Sequence, residues 1–175
     1  MTGGGARGGS SGGNKAGSGT IFMFYGEGGH RAEMESLLSH LLGRREGINC
    51  IGLAEGSALI ATIVNHRLIP MRSKYVRWLS LFLIPPALFY NTAKTFFLML
   101  KYRPKGLIST GPGSVLFPAV LFKIFRKKIV YIENCSRFET KSLTGKYMYL
   151  LADRFYVQSR GLLALYPKAV YAGML

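Results

Sequence analysis

Acidic side chains are scarce in this chain, which carries 8 Asp and Glu residues against 23 Lys and Arg residues. Only one of the acids, Asp153, is an aspartate. This excludes an Asp-x-Asp motif and argues against transferases and hydrolases that hold a divalent cation through paired aspartates. We therefore expect neither a bound metal nor a cofactor, and any chemistry must use other groups.

Cysteine is nearly absent as well. Cys50 and Cys135 are too few for a disulfide framework or a zinc site, so we interpret both as thiols in a reducing compartment. The first 19 residues are rich in Gly and Ser and lack the apolar region of a secretory signal. We predict a flexible tail at residues 1–19 and one folded domain at residues 20–175.

The excess of basic residues gives a formal net charge of +15. A charge of this size favours polyanionic partners, which include nucleic acid, an anionic membrane surface and phosphorylated lipid. Composition alone does not choose among them. Because 49% of the residues are hydrophobic, a packed domain is expected rather than a disordered chain.

Apolar runs alternate with amphipathic segments from residue 20 onward, and this pattern predicts a parallel sheet covered by helices. Residues 20–25 predict a buried strand, after which apolar residues recur at helical spacing at Met34, Leu37, Leu38, Leu41 and Leu42. We predict a Rossmann-like α/β domain with helices on both faces of the sheet. Further strands are predicted near 48–53, 59–64, 106–110, 128–132, 154–158 and 169–172, and further helices near 114–125 and 143–151.

One apolar segment does not fit a plain α/β domain. Residues 78–93 carry no charge, and a second apolar run follows at 96–100. The first run is shorter than a spanning helix and contains Pro85-Pro86, so we predict two helices, near 74–84 and 86–102. Basic flanks suit insertion into one leaflet of an anionic membrane, and the alternative is a pair of crossover helices packed only on the sheet. The side chains predicted to contact the membrane are Trp78, Leu81, Phe82, Leu83, Phe89, Tyr90, Phe96 and Phe97.

The turn after the first strand, Gly26-Glu27-Gly28-Gly29-His30, is the most informative short segment. Its glycines allow close approach of a ligand, and the N–H groups at the start of the next helix attract anions, so a phosphate or diphosphate is the expected guest. A dinucleotide fingerprint is excluded because Arg31 replaces its third glycine. His30 could accept a proton from an attacking hydroxyl or donate a hydrogen bond to a diphosphate. The alternative is a tight turn without a ligand.

Two further polar turns follow predicted strands. One runs from Ser109 through Thr110, Gly111, Pro112 and Gly113 to Ser114, and the other contains Glu133 and Asn134. The carboxyl ends of parallel strands meet at one edge of the sheet, where ligands bind in doubly wound folds. We therefore predict that the three turns line one cleft.

Several motifs taken together resemble those of a known family. The string Gly28-Gly29-His30-Arg31-Ala32-Glu33-Met34 resembles the Gly-Gly-His-x-x-Glu-Met of the membrane-anchoring subunit of the two-component UDP-N-acetylglucosamine transferase of dolichol-linked oligosaccharide synthesis, which has bacterial relatives in exopolysaccharide assembly. The resemblance covers essentially residues 20–175. Further matches follow in the order of the family at 110–114 with Pro118, 131–137, 142–146, 152–153, 157–158, 166–169 and 171–175. The chain differs from the family in having a Gly/Ser-rich start in place of a transmembrane helix and Ser159 in place of a Trp.

The resemblance implies the N-terminal half of a GT-B glycosyltransferase, similar also to that of the peptidoglycan transferase MurG. In such a pair, this half binds a polyprenyl- or dolichyl-diphosphate-linked sugar at the cytoplasmic face of a membrane. A separate subunit, equivalent to the C-terminal half, binds the UDP-sugar, and neither half is active alone. The best match is transfer of N-acetylglucosamine with inversion, and GT-B enzymes typically need no bound cation.

The resemblance also assigns roles to the predicted cleft. Gly26, Gly28 and Gly29 would contact the acceptor diphosphate, and Arg31 would add charge there or face solvent. His30 or Glu133 would be the general base. His30 is preferred because imidazoles titrate near neutral pH, whereas Glu133 would need a raised pKa. The glycine turn from Gly111 to Ser114, with Thr110 and Asn134, would shape the cleft near the partner subunit.

Three other functions remain open at this point. The first is a bacterial exopolysaccharide accessory subunit that uses another UDP-sugar. The second is a basic nucleic-acid-binding α/β protein, although the densest cluster of cations adjoins the most apolar stretch, which favours lipid. The third is a nucleotide-binding Rossmann enzyme that acts without a partner.

Overall fold

The computed structural model describes residues 19–44, 47–70 and 77–175, with 77–83 described in backbone only. Residues 1–18 of the predicted tail lie outside this range. Within it, seven parallel strands form one sheet in the order β3-β2-β1-β4-β5-β6-β7. The strands are β1 (Thr20–Tyr25), β2 (Asn49–Glu55), β3 (Val64–Leu68), β4 (Gly106–Ser109), β5 (Lys128–Ile132), β6 (Arg154–Val157) and β7 (Val170–Tyr171). The helices are α1 (Gly29–Arg44), α2 (Arg77–Tyr102), α3 (Leu116–Ile124), α4 (Leu143–Leu151) and α5 (Leu162–Leu165), and a 3₁₀ turn at Gly113–Val115 precedes α3.

The sheet is buried on both faces, as the Rossmann-like prediction requires. Successive side chains of β1 alternate between two apolar clusters. Phe22 and Phe24 belong to the cluster that contains residues of α2, α3 and α4, whereas Met23 and Tyr25 belong to the cluster that contains residues of α1. The predicted helices on both faces are therefore confirmed.

The sheet has a switch point between β1 and β4. β2 and β3 are added on one side of β1, whereas β4 to β7 are added on its other side. β1 pairs with β2 on one side and with β4 on the other. In doubly wound folds, ligands bind beside such a switch point at the carboxyl edge of the sheet. The two loops here are the predicted glycine turns after β1 and β4.

The prediction of a strand at 59–64 is wrong, because β3 begins only at Val64. The amide of Asn65 donates to the carbonyl oxygens of Ile60 (2.6 Å) and Ile63 (2.8 Å), which holds the preceding apolar run in a loop. β3 is an edge strand, so polar residues are tolerated within it.

The prediction of two helices separated at the prolines is also wrong. α2 is continuous from Arg77 to Tyr102, with Pro85 and Pro86 inside it and exposed. A proline within a helix removes one backbone hydrogen bond, and this cost is offset by packing further along α2. Asn91, which is fully buried, accepts from the backbone N–H of Ile69 and donates to its carbonyl oxygen, both at 2.8 Å. Among the described residues, no helix is long and apolar enough to cross a membrane.

Candidate active site

The turn between β1 and α1 depends on glycine at two positions. Gly28 has a positive φ of 66°, which side chains rarely tolerate. A Cβ placed on Gly26 would lie only 3.2 Å from Cβ of Pro112, in the turn after β4. The two turns therefore pack directly against each other at the switch point. α1 begins at Gly29, and N–H groups at a helix start have no partners within the helix.

His30 is held by the turn after β4 through two reciprocal contacts. Its Nδ1 atom lies 2.6 Å from the carbonyl oxygen of Thr110, and the Thr110 hydroxyl donates to the carbonyl oxygen of His30 at 2.8 Å. A carbonyl oxygen can only accept, so Nδ1 carries the proton and Nε2 of the neutral ring keeps its lone pair. Among the described residues, no hydrogen bond uses Nε2. The side chain as a whole is 28% exposed.

Gly111 allows the close approach of these groups. Its φ is 115°, and a Cβ there would lie 3.1 Å from Cε1 of His30 and 3.2 Å from the hydroxyl oxygen of Tyr131. A larger residue would push the imidazole out of its position. Glycine is therefore required at position 111 by the backbone conformation and by the space that His30 occupies.

Asn134 brings the third turn to the same point. Its Nδ2 atom lies 3.1 Å from Nδ1 of His30, and its Oδ1 atom accepts the backbone N–H of Ser136 at 2.7 Å. The bond to Ser136 turns the amide nitrogen toward the histidine. Because Nδ1 is protonated, this contact joins two donors and is not a hydrogen bond. His30, Thr110 and Asn134 are in contact, so the three turns meet at one edge of the sheet. That they line a cleft for a ligand stays a prediction.

Glu33 is a residue of this site that the sequence analysis did not select. It is 4% exposed, and its Oε1 atom accepts from the backbone N–H of Cys135 (2.6 Å) and from Nε2 of Gln158 (3.1 Å). Its other oxygen, Oε2, lies 3.9 Å from Nδ1 of His30. The Glu33 carboxylate also raises the pKa of the Cys135 thiol. The available signal was its position three residues after His30, on the same side of α1.

Glu133 lies behind this group and has a different environment. It is 1% exposed, and its carboxylate accepts from the hydroxyls of Ser142 (2.8 Å) and Tyr166 (3.2 Å). Burial raises the pKa of Glu133, as a neutral-pH base would require. Because the carboxylate is sealed from solvent and already bonded, it has no access to an acceptor hydroxyl. Of the two predicted bases, His30 alone is accessible.

Arg31 faces away from the turn. Its Nε atom donates to Oε1 of Glu35 at 2.9 Å, and both side chains are more than 40% exposed. The sequence left two alternatives for Arg31, which were to add charge at the diphosphate or to face solvent. The structure favours the second. The positive charge of Arg31 is thus paired with Glu35 and not directed into the turn.

Buried side-chain oxygens without a hydrogen-bond partner gather around the same turns. In the described part of the chain they are Glu33 Oε2, Ser114 Oγ and the Tyr131 hydroxyl. Burial and the neighbouring Glu133 carboxylate raise the pKa of Tyr131 well above its usual value. Unpaired buried polar atoms are rare in native proteins, and these three mark a polar part of the interior behind the turns. Within the described ranges, no group of three His, Cys, Asp or Glu side chains could hold a metal ion.

The side chains predicted to contact a membrane divide into three groups. Phe89, Tyr90 and Phe97 on α2 are 79%, 44% and 68% exposed. Phe96 instead packs against the core and lies 6.0 Å from the ring of Phe125. The side chains of Trp78, Leu81, Phe82 and Leu83 lie outside the described residues.

This chain resembles about half or less of several larger solved structures. MurG of Acinetobacter baumannii superposes with a TM-score of 0.63 at 11% identity, over 82% of this chain and 42% of its own. The spinosyn rhamnosyltransferase SpnG superposes with a TM-score of 0.60 at 12% identity, over 89% of this chain and 50% of its own. A putative UDP-N-acetylglucosamine 2-epimerase from Listeria monocytogenes superposes with a TM-score of 0.62 at 12% identity, over 85% of this chain and 42% of its own. The chain thus spans about half or less of each, and its fold is that of one Rossmann-like half of a GT-B protein.

Sequence comparison identifies the family. The profile described as "Oligosaccharide biosynthesis protein Alg14 like" matches residues 21–175, and the chain belongs to this family. The Kluyveromyces lactis UDP-N-acetylglucosamine transferase subunit ALG14 is 30% identical, over 89% of this chain and 78% of its own length. The mouse subunit of the same name is 37% identical, over 62% of this chain and 51% of its own length.

Proposed function

We propose that this chain is the membrane-associated, acceptor-binding subunit of a heteromeric glycosyltransferase. In this proposal it binds a polyprenyl- or dolichyl-diphosphate-linked sugar, and a separate donor-binding subunit supplies N-acetylglucosamine from its UDP-sugar. The names of its relatives support a transferase subunit, because the yeast and mouse proteins are UDP-N-acetylglucosamine transferase subunits. The half-GT-B fold supports the need for a second subunit.

The observation that carries the proposal is the position of His30. The imidazole lies at the start of α1, beside the glycine turn, with Nδ1 bonded to Thr110 and Nε2 without a partner among the described residues. An acceptor diphosphate in the turn would meet backbone N–H groups, and a sugar attached to it would lie within reach of Nε2.

The proposed reaction is a direct displacement with inversion. The acceptor hydroxyl oxygen attacks the anomeric carbon of the donor sugar while its proton passes to Nε2 of His30. A new C–O bond forms as the bond between the anomeric carbon and the diphosphate of UDP breaks, and UDP leaves as an anion. Glu33, whose free oxygen lies 3.9 Å from Nδ1, stabilises the imidazolium that forms.

Membrane association rests on α2 in this proposal. Phe89 and Phe97 are exposed on this helix, and the net charge of +15 favours an anionic surface at its cytoplasmic side. We expect the chain to bind anionic vesicles in a salt-sensitive way and the double substitution Phe89→Asp/Phe97→Asp to reduce that binding. Equal binding by both proteins would contradict this part of the proposal.

Reconstitution tests the proposal as a whole. The chain is co-purified with a candidate donor-binding subunit and assayed with several UDP-sugars and a polyprenyl-diphosphate-linked acceptor. Transfer should require both subunits and should be fastest with UDP-N-acetylglucosamine. Transfer by the isolated chain would contradict the two-subunit proposal, and preference for another UDP-sugar would favour an exopolysaccharide function instead.

A further inference from the structure

Two neighbouring helices on one face of the sheet expose apolar side chains at helical spacing. The outward side chains of α3 are Phe117 (51% exposed), Val120 (42%) and Ile124 (70%). Those of α4 are Leu143 (71%), Tyr147 (54%) and Leu150 (78%). Exposed side chains at this spacing do not serve the core, so they mark a face that meets something else.

A groove runs between the two helices within this face. It has a volume of about 270 Å³ and is lined by Leu116, Phe117 and Val120 of α3 and the ring of Tyr147 on α4. No charged side chain lines it, although the chain as a whole is strongly basic. A guest for this groove is therefore apolar along its length.

The two helices that line the groove both start near the candidate active site. α3 follows the turn that contains Gly111, and α4 follows Ser142, which bonds to Glu133 beside the third turn. The starts of the two helices adjoin, because a Cβ on Gly113 would lie 3.5 Å from Oγ1 of Thr144. The starts of both helices thus lie at the carboxyl edge of the sheet, the edge at which His30 lies.

Two basic residues lie near the start of α4. Lys146 is exposed, and Nζ of Lys141 lies 5.0 Å from the centroid of the Tyr166 ring, whose hydroxyl bonds to Glu133. A diphosphate held by the glycine turn would lie at the polar end of this arrangement. The chain attached to that diphosphate has to leave the cleft across a neighbouring surface, and contact with water would cost free energy for each isoprene unit.

We propose that the groove between α3 and α4 binds the first isoprene units of the lipid acceptor. This inference rests on the proposed function and adds a location for the hydrocarbon part of the substrate. The groove then fixes the direction in which the diphosphate enters the turn. It also makes the affinity for the acceptor depend on the length of its chain.

Acceptor chain length tests this assignment. The reconstituted enzyme is assayed with a long polyprenyl-diphosphate-linked acceptor and with an analogue that carries a single isoprene unit. For Phe117→Ser/Val120→Ser we expect KM for the long acceptor to rise about tenfold or more, with kcat and the KM of the short analogue unchanged. Leu150→Ser, on the same face but outside the groove, should leave kcat and KM unchanged for both the long acceptor and the short analogue. Equal effects on both acceptors, or none on either, would overturn the assignment.

Photochemical labelling gives a readout independent of activity. An isoprenoid diphosphate with a photoreactive group on its first isoprene unit should form adducts on α3 and α4, and Phe117→Ser/Val120→Ser should reduce them. Adducts confined to other elements would overturn the assignment. The assignment would also be overturned if Phe117→Ser/Val120→Ser lost vesicle binding without any change in its preference for acceptor chain length. That result would assign the face to contact with the bilayer. Failure of the proposed function looks different, because the wild-type pair would then use no polyprenyl acceptor at all.

Discussion

Nδ1 of His30 lies 2.6 Å from the carbonyl oxygen of Thr110, which is 80 residues further along the chain. The contact joins the start of α1 to the turn after β4, and these two segments pack against each other at the switch point of the sheet. It fixes the protonated nitrogen of the ring, and Nε2 has no hydrogen-bond partner among the described residues. The backbone of one turn thus sets the chemistry of a side chain in the other.

Replacement of His30 tests this arrangement directly. His30→Ala should lower kcat of the reconstituted enzyme about 100-fold or more, because general-base catalysis contributes that much. Association with the donor-binding subunit should be unchanged, as judged by co-purification. His40→Ala, an exposed substitution on the same helix, should keep full activity. An active His30→Ala enzyme would move the base to another residue.

Glu33 is expected to contribute to stability as well as to the site. Glu33→Ala would leave the backbone N–H of Cys135 and the amide of Gln158 without their acceptor. We expect a loss of about 1–3 kcal/mol in the free energy of unfolding, measured by urea denaturation. Glu35→Ala removes an exposed carboxylate from the same helix and should change that free energy by less than about 0.5 kcal/mol. Equal effects of the two substitutions would contradict the role of Glu33.

Gly145 gives a test of the packing around Glu133. A Cβ at this position would overlap an oxygen of Glu133 and would lie 2.7 Å from the hydroxyl oxygens of Ser142 and Tyr166. Gly145→Ala should therefore cost about 1–3 kcal/mol of stability, although alanine is the better helix former. Gly43→Ala, in the last turn of α1, meets no atom within 4 Å and should stabilise by about 0.5–1 kcal/mol. A calorimetric comparison in which both substitutions stabilise would refute the close packing.

The sheet was predictable from the sequence where strands are buried on both faces. The apolar runs of β1 and β5 stand out because neither face can carry polar residues. β3 was misplaced because an edge strand tolerates Asn65 and Arg67, while the preceding apolar run belongs to a loop. The continuity of α2 through two prolines depends on tertiary contacts such as that of Asn91, which no local pattern reports.

The candidate site was predictable in part, for a similar reason. The three turns were expected to meet because parallel strands share one carboxyl edge. Glu33 was missed since its partners, Cys135 and Gln158, lie 102 and 125 residues away in the sequence. The burial of Glu133 likewise depends on Tyr166, which reaches it from the start of the segment after α5.

The ionisation of Glu133 predicts how stability depends on pH. Burial raises its pKa in the folded protein above the ordinary value of 4.5, so the protonated form is favoured by folding. Its contribution is fully present below pH 4.5 and is lost as pH rises through the folded pKa. Glu133→Gln keeps a neutral side chain at every pH. We expect the stability of wild type relative to this variant to fall as pH rises above 4.5, measured by urea denaturation at several pH values. A pH-independent difference would contradict the raised pKa.

The central claim is that the glycine turn and His30 receive a lipid-linked diphosphate and leave the nucleotide sugar to another subunit. NMR titration of the purified chain in detergent, with backbone amides assigned, measures this most directly. A polyprenyl-diphosphate-linked sugar should shift the amide signals of Gly28, Gly29 and His30, whereas UDP-N-acetylglucosamine at the same concentration should leave them in place. If UDP-N-acetylglucosamine shifts these signals and the lipid-linked sugar does not, the chain binds nucleotide at this site and the account is contradicted.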